Sequence, residues 1–150
     1  MNTNQTLPDA SAKGEGRLIF RVTTAGGAIP LSGARVIVRD KGSGGDAERG
    51  NALAVMYSDR NGKTEIMSLT TTPRSESLTP RGNGASPPFL CYDAEVSLTG
   101  YRTVNFICIP IFDGVTSVQP ADMVPLPENG REDGSTYGNI TIVESENPNL

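Results

Sequence analysis

The clearest alternation of apolar and polar positions lies in RLIFRVTT, Arg17 to Thr24, with Leu18, Phe20 and Val22 on one side and Arg17, Arg21 and Thr23 on the other. Successive side chains of a strand point to opposite faces, so this run predicts a half-buried strand. After turn chemistry in AGGAIPLSG, the run Gly33 to Asp40 repeats the pattern, with Ala34, Val36 and Val38 inward and Arg35 and Arg39 outward. Phe89 to Leu98 places Tyr92, Ala94, Val96 and Leu98 on one face. Thr103 to Phe112 is so apolar that both of its faces are expected to be covered. These two runs turn about Thr99-Gly100-Tyr101 and predict a hairpin at the centre of the core. Thr116 to Leu126 carries Pro120 and Pro125, which remove ladder donors and predict an edge strand or one broken by a bulge.

Two shorter runs, Leu53 to Ser58 and Thr64 to Leu69, flank the stretch SDRNGKT, Ser58 to Thr64. Asn61-Gly62 can adopt the positive φ angles of a tight turn, so the spacing predicts a β-hairpin. The Gly-rich, charged segment Lys41 to Asn51 reads as a loop, and Thr70 to Pro88, with four prolines and no periodicity, as a long irregular surface connection. Seven short strands separated by turn signals predict an all-β chain folded as a seven-stranded Greek-key β-sandwich. Residues 1–14 read as a flexible N-terminal arm, 15–126 as the sandwich, and 127–150 as a C-terminal tail in which NITIVE can add one short edge strand.

Composition narrows the functional classes. At 150 residues, with 17 glycines and 11 prolines, the chain is long enough for one core and turn-rich. A net charge of −4 argues against nucleic-acid binding, which needs clustered Lys and Arg. No apolar run approaches the ~20 residues of a membrane helix, and the polar start has no signal-peptide core, so no membrane insertion is expected and localisation is left open. The two cysteines, Cys91 and Cys108, are not in CxxC spacing. They read as buried thiols, with a cross-strand bridge between neighbouring strands left open.

The absence of histidine removes the usual general base, the Ser/His/Asp and Cys/His arrangements and every His-containing zinc site. Paired carboxylates would remain for glycosidase-like work. The acids Asp40, Asp46, Glu48, Asp59, Glu65, Asp93, Glu95 and Asp113 lie mostly in turns or at outward strand positions, where solvated acids are the commoner case. SDRNGKT also fails as an EF-hand loop: with Asp59, Asn61 and Gly62 at its third, fifth and sixth positions, Tyr57 and Ser68 would occupy the first and twelfth. LPENG, Leu126 to Gly130, superficially resembles the LPxTG sorting signal, but Asn129 replaces the threonine and no apolar span follows. No catalytic, cofactor-binding or metal-binding residue is expected. Arg17, Arg21, Arg35 and Arg39 would form a cationic stripe if their two strands were neighbours, able to meet a carboxylate- or phosphate-bearing polymer. The competing reading is a solvated face paired with Asp93 or Glu95. Tyr101, at a hairpin tip, is a candidate for a small stacking contact.

The ordered set GRLIFRV, PLSGARVIV, SDRNGKT, YDAEVSLTGYRTVNF and DGVTSVQPADMVPL resembles a carboxypeptidase regulatory-like domain, a transthyretin-like (prealbumin-like) sandwich. The motifs that carry it are Gly33-Ala34-Arg35-Val36, Asp59 to Lys63, and Tyr92 to Tyr101, within a match from about Gly16 to Leu126. The ending FDGVTSVQPADMVPLPE further resembles versions linked to the bacterial spore or cell envelope. The resemblance implies a non-catalytic module for structural support, adhesion or display. Two related chemistries do not fit: hydroxyisourate hydrolases of this fold rely on histidines, and none of Lys13, Lys41 and Lys63 lies inside the first strand, where an isopeptide bond would need its amine. The expectation is a protein partner or self-association through edge strands. The alternative is a glycan or peptidoglycan module using the 70–88 loop and the Gly100-Tyr101 hairpin, and an acid-pair hydrolase comes third.

Overall fold

The computed structural model describes residues 13–41, 50–77, 88–127 and 139–144. Two sheets form a β-sandwich. The strands are β1 (Gly14–Thr24), β2 (Ile29–Pro30), β3 (Arg35–Asp40), β4 (Ala52–Tyr57), β5 (Met67–Thr71), β6 (Leu90–Ser97), β7 (Val104–Ile111), β8 (Thr116–Met123) and β9 (Ile140–Val143). Each of the seven expected runs contains a strand, although Thr64 to Ile66 precede β5, which begins at Met67. Among the described residues the count rises to nine because Ile29–Pro30 closes a short turn onto β1 and Ile140–Val143 adds to β7 in parallel. The connection expected from Thr70 to Pro88 is not wholly irregular: Thr70 and Thr71 end β5, and Arg74–Ser77 form one helical turn, α1. Residues 78–87 lie outside the described residues, as do 1–12 of the expected arm and 42–49 of the Lys41 to Asn51 loop.

In the first sheet β1 is central. It pairs in parallel with β8 from Arg17 to Thr24, which leaves its opposite edge to β5 below and β2 above. As the prolines predict, β8 is an edge strand, with Pro120 opposite Arg21. The second sheet runs β4-β3-β6-β7-β9. The inward rows of both sheets make one core: Leu18, Phe20 and Val22 from β1 meet Val36, Val38, Ala94, Val96, Phe106 and Ile109 from the other sheet. Phe20 and Phe106 touch across it, ring centroids 6.3 Å apart and planes tilted by 57°.

β7 is not covered on both faces as its apolar run led us to expect: Ile107 is 39% exposed and Asn105 and Pro110 are half-buried. Residues Phe106, Cys108 and Ile109 are all buried, because the β6–β7 register shifts between Tyr92 and Ala94 and Cys108 takes a φ of 59°. The bulge lets Ile109 rejoin Phe106 in the core, whereas Cys108 is buried outside that core, against Cys91. The Cys108 amide donates to Asp93 Oδ1 at 2.9 Å. Cys91 and Cys108 are joined in a disulfide, so the thiol reading gives way to the bridge.

SDRNGKT does not close a hairpin. β4 pairs with β3 in the second sheet and β5 with β1 in the first, so the stretch carries the chain from one sheet to the other. Its local chemistry is nonetheless that of a tight turn. Asp59 Oδ1 accepts from the Asn61 amide at 2.8 Å and the Lys63 amide at 3.0 Å, and Gly62 takes a φ of 77°. Beyond the turn, Gly62 to Thr64 lies along β1 between β2 and β5: the Val22 amide donates to Gly62 O and the Thr64 amide to Phe20 O. The stretch fills the gap in that edge with its own backbone. Ser58, buried, accepts from the Ala34 amide and donates to Leu31 O, which anchors the near end.

Candidate functional site

The sandwich separates the four arginines. Arg17 and Arg21 stand on the outer face of the first sheet, and Arg35 and Arg39 on strand β3 of the second. Their strands are not neighbours, so no single cationic stripe forms. Arg17 Nε donates to Thr116 Oγ1 at 3.1 Å, while Arg21 sits beside Lys63 and Pro120. Arg35 lies 4.0 Å from Glu95, the paired surface that the competing reading expected. Arg39 is half-buried, with a weak 3.4 Å contact to Gly50 O and a buried Nε that has no hydrogen-bond partner. It lines a cavity of about 250 Å³ on the outer face of the second sheet, together with Asp93, Glu95, Asn105, Ile107 and Thr141.

Tyr101 is not a free platform. It packs against the core, forms a bridge with Pro125, and its amide donates to Leu98 O at 3.0 Å. The reason is that the chain leaving β8 folds back over this turn, with the Leu126 amide donating to Gly100 O and the Arg102 amide to Val124 O.

Several aspartates are engaged in holding turns. Asp40 accepts from the Asn51 amide at 2.6 Å, closing the loop between β3 and β4. Asp122 accepts from the Gly27 amide, and Asp93 supports the bulge. Asp113 accepts from the Glu15 and Arg74 amides at 3.1 and 2.9 Å, tying the start of β1 and α1 to the β7–β8 turn. Those two amides, with a smaller contribution from the Arg74 charge, hold its carboxyl below the usual value of 3.8. Burial, reinforced by the charge of Asp40, pushes the Tyr92 hydroxyl above 10.0, and that hydroxyl donates to Thr70 O. Among the described residues no group of three or more His, Cys, Asp or Glu is placed to hold a metal ion, and no helix is long and apolar enough to cross a membrane. Asp46 and Glu48 lie outside the described residues.

Sequence reasoning missed the edge of the second sheet. Among the described residues β4 bonds to β3 on one side only, and Leu53, Val55 and Tyr57 are 46%, 53% and 61% exposed. The signal was present in ALAVMY, a strand-prone run without a charge, a proline or a glycine.

No protein-family model matches the chain, and no curated protein does. Among solved structures it is similar to the Bacillus anthracis TIE protein, at 14% identity over 75% of this chain and 17% of that one, with a TM-score of 0.41. A minor pilin of Streptococcus agalactiae, GBS52, gives 13% identity over 77% of this chain and 46% of the pilin, TM-score 0.44. Wild-type catechol 1,2-dioxygenase of Acinetobacter radioresistens gives 17% identity over 85% of this chain and 58% of the enzyme, TM-score 0.43. This chain spans less than two thirds of each. A pilin and a dioxygenase have different roles, and neither role is carried over.

Proposed function

We propose that the chain is a non-catalytic β-sandwich module of the carboxypeptidase regulatory-like, transthyretin-like type, serving structural support or protein interaction in a bacterial envelope or spore assembly. One observation carries the non-catalytic part: Asp40, Asp59, Asp93, Asp113 and Asp122 all accept backbone amides that shape turns and a bulge, while the apolar side chains of β4 face solvent. Carboxylates committed to backbone amides are poorly placed as general acids and bases, because those bonds hold them to the turn and away from a substrate. The family reading is supported by the order of the motifs, since Ala34 to Val36 enters β3, Asp59 to Lys63 forms the turn between sheets, and Tyr92 to Tyr101 spans β6 and its exit. The envelope part rests on the resemblance of the Phe112 to Glu128 ending.

A glycan-binding role has one feature in its favour. The cavity beside Arg39 offers donors and acceptors from Asp93, Glu95 and Asn105, a lining suited to hydroxyl groups, whereas the packed Tyr101 removes the hairpin tip from that role.

Pelleting with bacterial sacculi tests these roles together, using crude envelope and wall stripped of protein by hot detergent and protease. Retention on crude envelope alone is the expected result. Retention on stripped wall transfers the assignment to glycan binding, release of soluble muropeptides from it overturns the non-catalytic assignment, and failure to bind either overturns the envelope role.

A further inference from the structure

Elsewhere in the sandwich polar side chains are committed to the backbone: Ser58, Asp59, Thr71 and Asp113 each bond main-chain atoms. The cavity on the outer face of the second sheet differs. Arg39 of β3 and Asp93 of β6 stand opposite one another in its walls, joined by Asn105 of β7 and Thr141 of β9. Arg39 and Asp93 nevertheless form no ion pair, because backbone bonds draw them apart. The Cys108 amide holds Asp93 Oδ1 towards β7 at 2.9 Å, while Arg39 Nη1 leans the other way, to Gly50 O at 3.4 Å. Arg39 Nε is buried without an acceptor. Among the described residues the side chains of Asn105 and Thr141 make no hydrogen bond, although both line the same space. The remaining wall charge, Glu95, has Arg35 at 4.0 Å.

We propose that this cavity binds a small free amino acid as its zwitterion. The carboxylate meets the Arg39 guanidinium, and the ammonium donates to the second carboxylate oxygen of Asp93, to Asn105 Oδ1 and to Thr141 Oγ1. Ile107, 39% exposed, supplies apolar surface for the carbon skeleton.

Charge complementarity selects this ligand. With Glu95 set against Arg35, the walls keep one unneutralised cation and one unneutralised anion, and a zwitterion answers both. An anion alone meets repulsion from Asp93 and Glu95, and a cation alone from Arg39. A sugar reaches the same polar atoms through hydroxyls but leaves both charges without a counter-ion. Volume sets the size: about 250 Å³ falls below the roughly 300–1,000 Å³ of pockets for drug-sized ligands. A ligand of so few atoms binds with a dissociation constant of about 1 mM. This binding role is separate from the envelope assignment, and pelleting with sacculi does not bear on it.

Amide NMR titration of the full chain reads the site directly, with glycine, alanine and serine as probes up to about 20 mM. Ethylamine, propionate and glucose are the cation, anion and hydroxyl controls. Saturating shifts centred on Arg39, Asp93, Asn105 and Thr141 are expected with at least one amino acid, and each control binds at least about tenfold more weakly. Arg39→Gln, which keeps donors but removes the charge, weakens the amino acid at least about tenfold, while Arg17→Gln, on the other sheet, leaves it unchanged. Asn105→Ala, which leaves the Arg39 and Asp93 backbone bonds in place, weakens it severalfold and reads the ammonium end independently. No saturable shift with any of the three amino acids overturns the proposal. So does a control that binds as tightly as they do, an equal effect of the two arginine changes, or a dissociation constant unmoved by both Arg39→Gln and Asn105→Ala.

Discussion

Gly62 is the position where turn chemistry and sheet architecture meet, and Gly62→Ala exposes both. Its φ of 77° lies in the left-handed region, where an alanine is strained by roughly 1 kcal/mol. The steric contribution is larger. A Cβ at this position would sit 2.3 Å from the carbonyl oxygen of Val22 and 3.2 Å from the Pro30 side chain. Neither neighbour moves freely, because Val22 belongs to the central strand and its carbonyl already accepts from the Leu31 amide at 3.0 Å. Forcing backbone apart in a packed interior costs typically about 1–3 kcal/mol. The sum, about 3 kcal/mol, is a large share of the roughly 5–15 kcal/mol that stabilises a domain. At roughly 2–4 °C per kcal/mol for a chain of this length, the melting temperature falls by about 6–12 °C. Gly100→Ala is the control, since Gly100 has a φ of 88° with nothing within 4 Å of its would-be Cβ. It carries the left-handed strain alone, about 1 kcal/mol. Thermal unfolding of both variants by circular dichroism isolates the contact with β1. Equal losses would refute the placement of Gly62 against the central strand.

Two further outcomes follow from the same geometry. Reducing the Cys91–Cys108 bridge, which spans a sequence separation of 17, releases unfolded-state entropy worth about 3 kcal/mol, so the melting point drops under reductant but not in a Cys91→Ala/Cys108→Ala variant. Asp113, held below its ordinary value of 3.8, contributes stability that is present above that value and is lost as pH falls through its depressed folded value; Asp113→Asn flattens this acid limb in unfolding midpoints measured between about pH 2 and 5.

Period-two alternation made the strands legible. Leu18, Phe20 and Val22, then Val36 and Val38, then Tyr92, Ala94 and Val96 are the inward rows that the pattern marks, and all are buried. Asp59 and Gly62 were equally legible as turn residues, because a side chain accepting amides two and four positions on, and a positive φ, are local properties. Alternation states that a side chain points in or out. It does not state which sheet the strand joins, and that choice is made by contacts between residues far apart in the chain. For this reason SDRNGKT read as a hairpin and became a crossing between sheets, and the arginines of β1 and β3, a single stripe only if their strands were neighbours, lie on two sheets. The bulge at Cys108 escaped for a related reason, since a register shift exists only between two strands. From the sequence alone came the class of fold, the strand positions and the improbability of histidine chemistry. The tertiary structure alone decided which polar groups meet and which strands pair, because pairing energy depends on partners that one-dimensional spacing does not name.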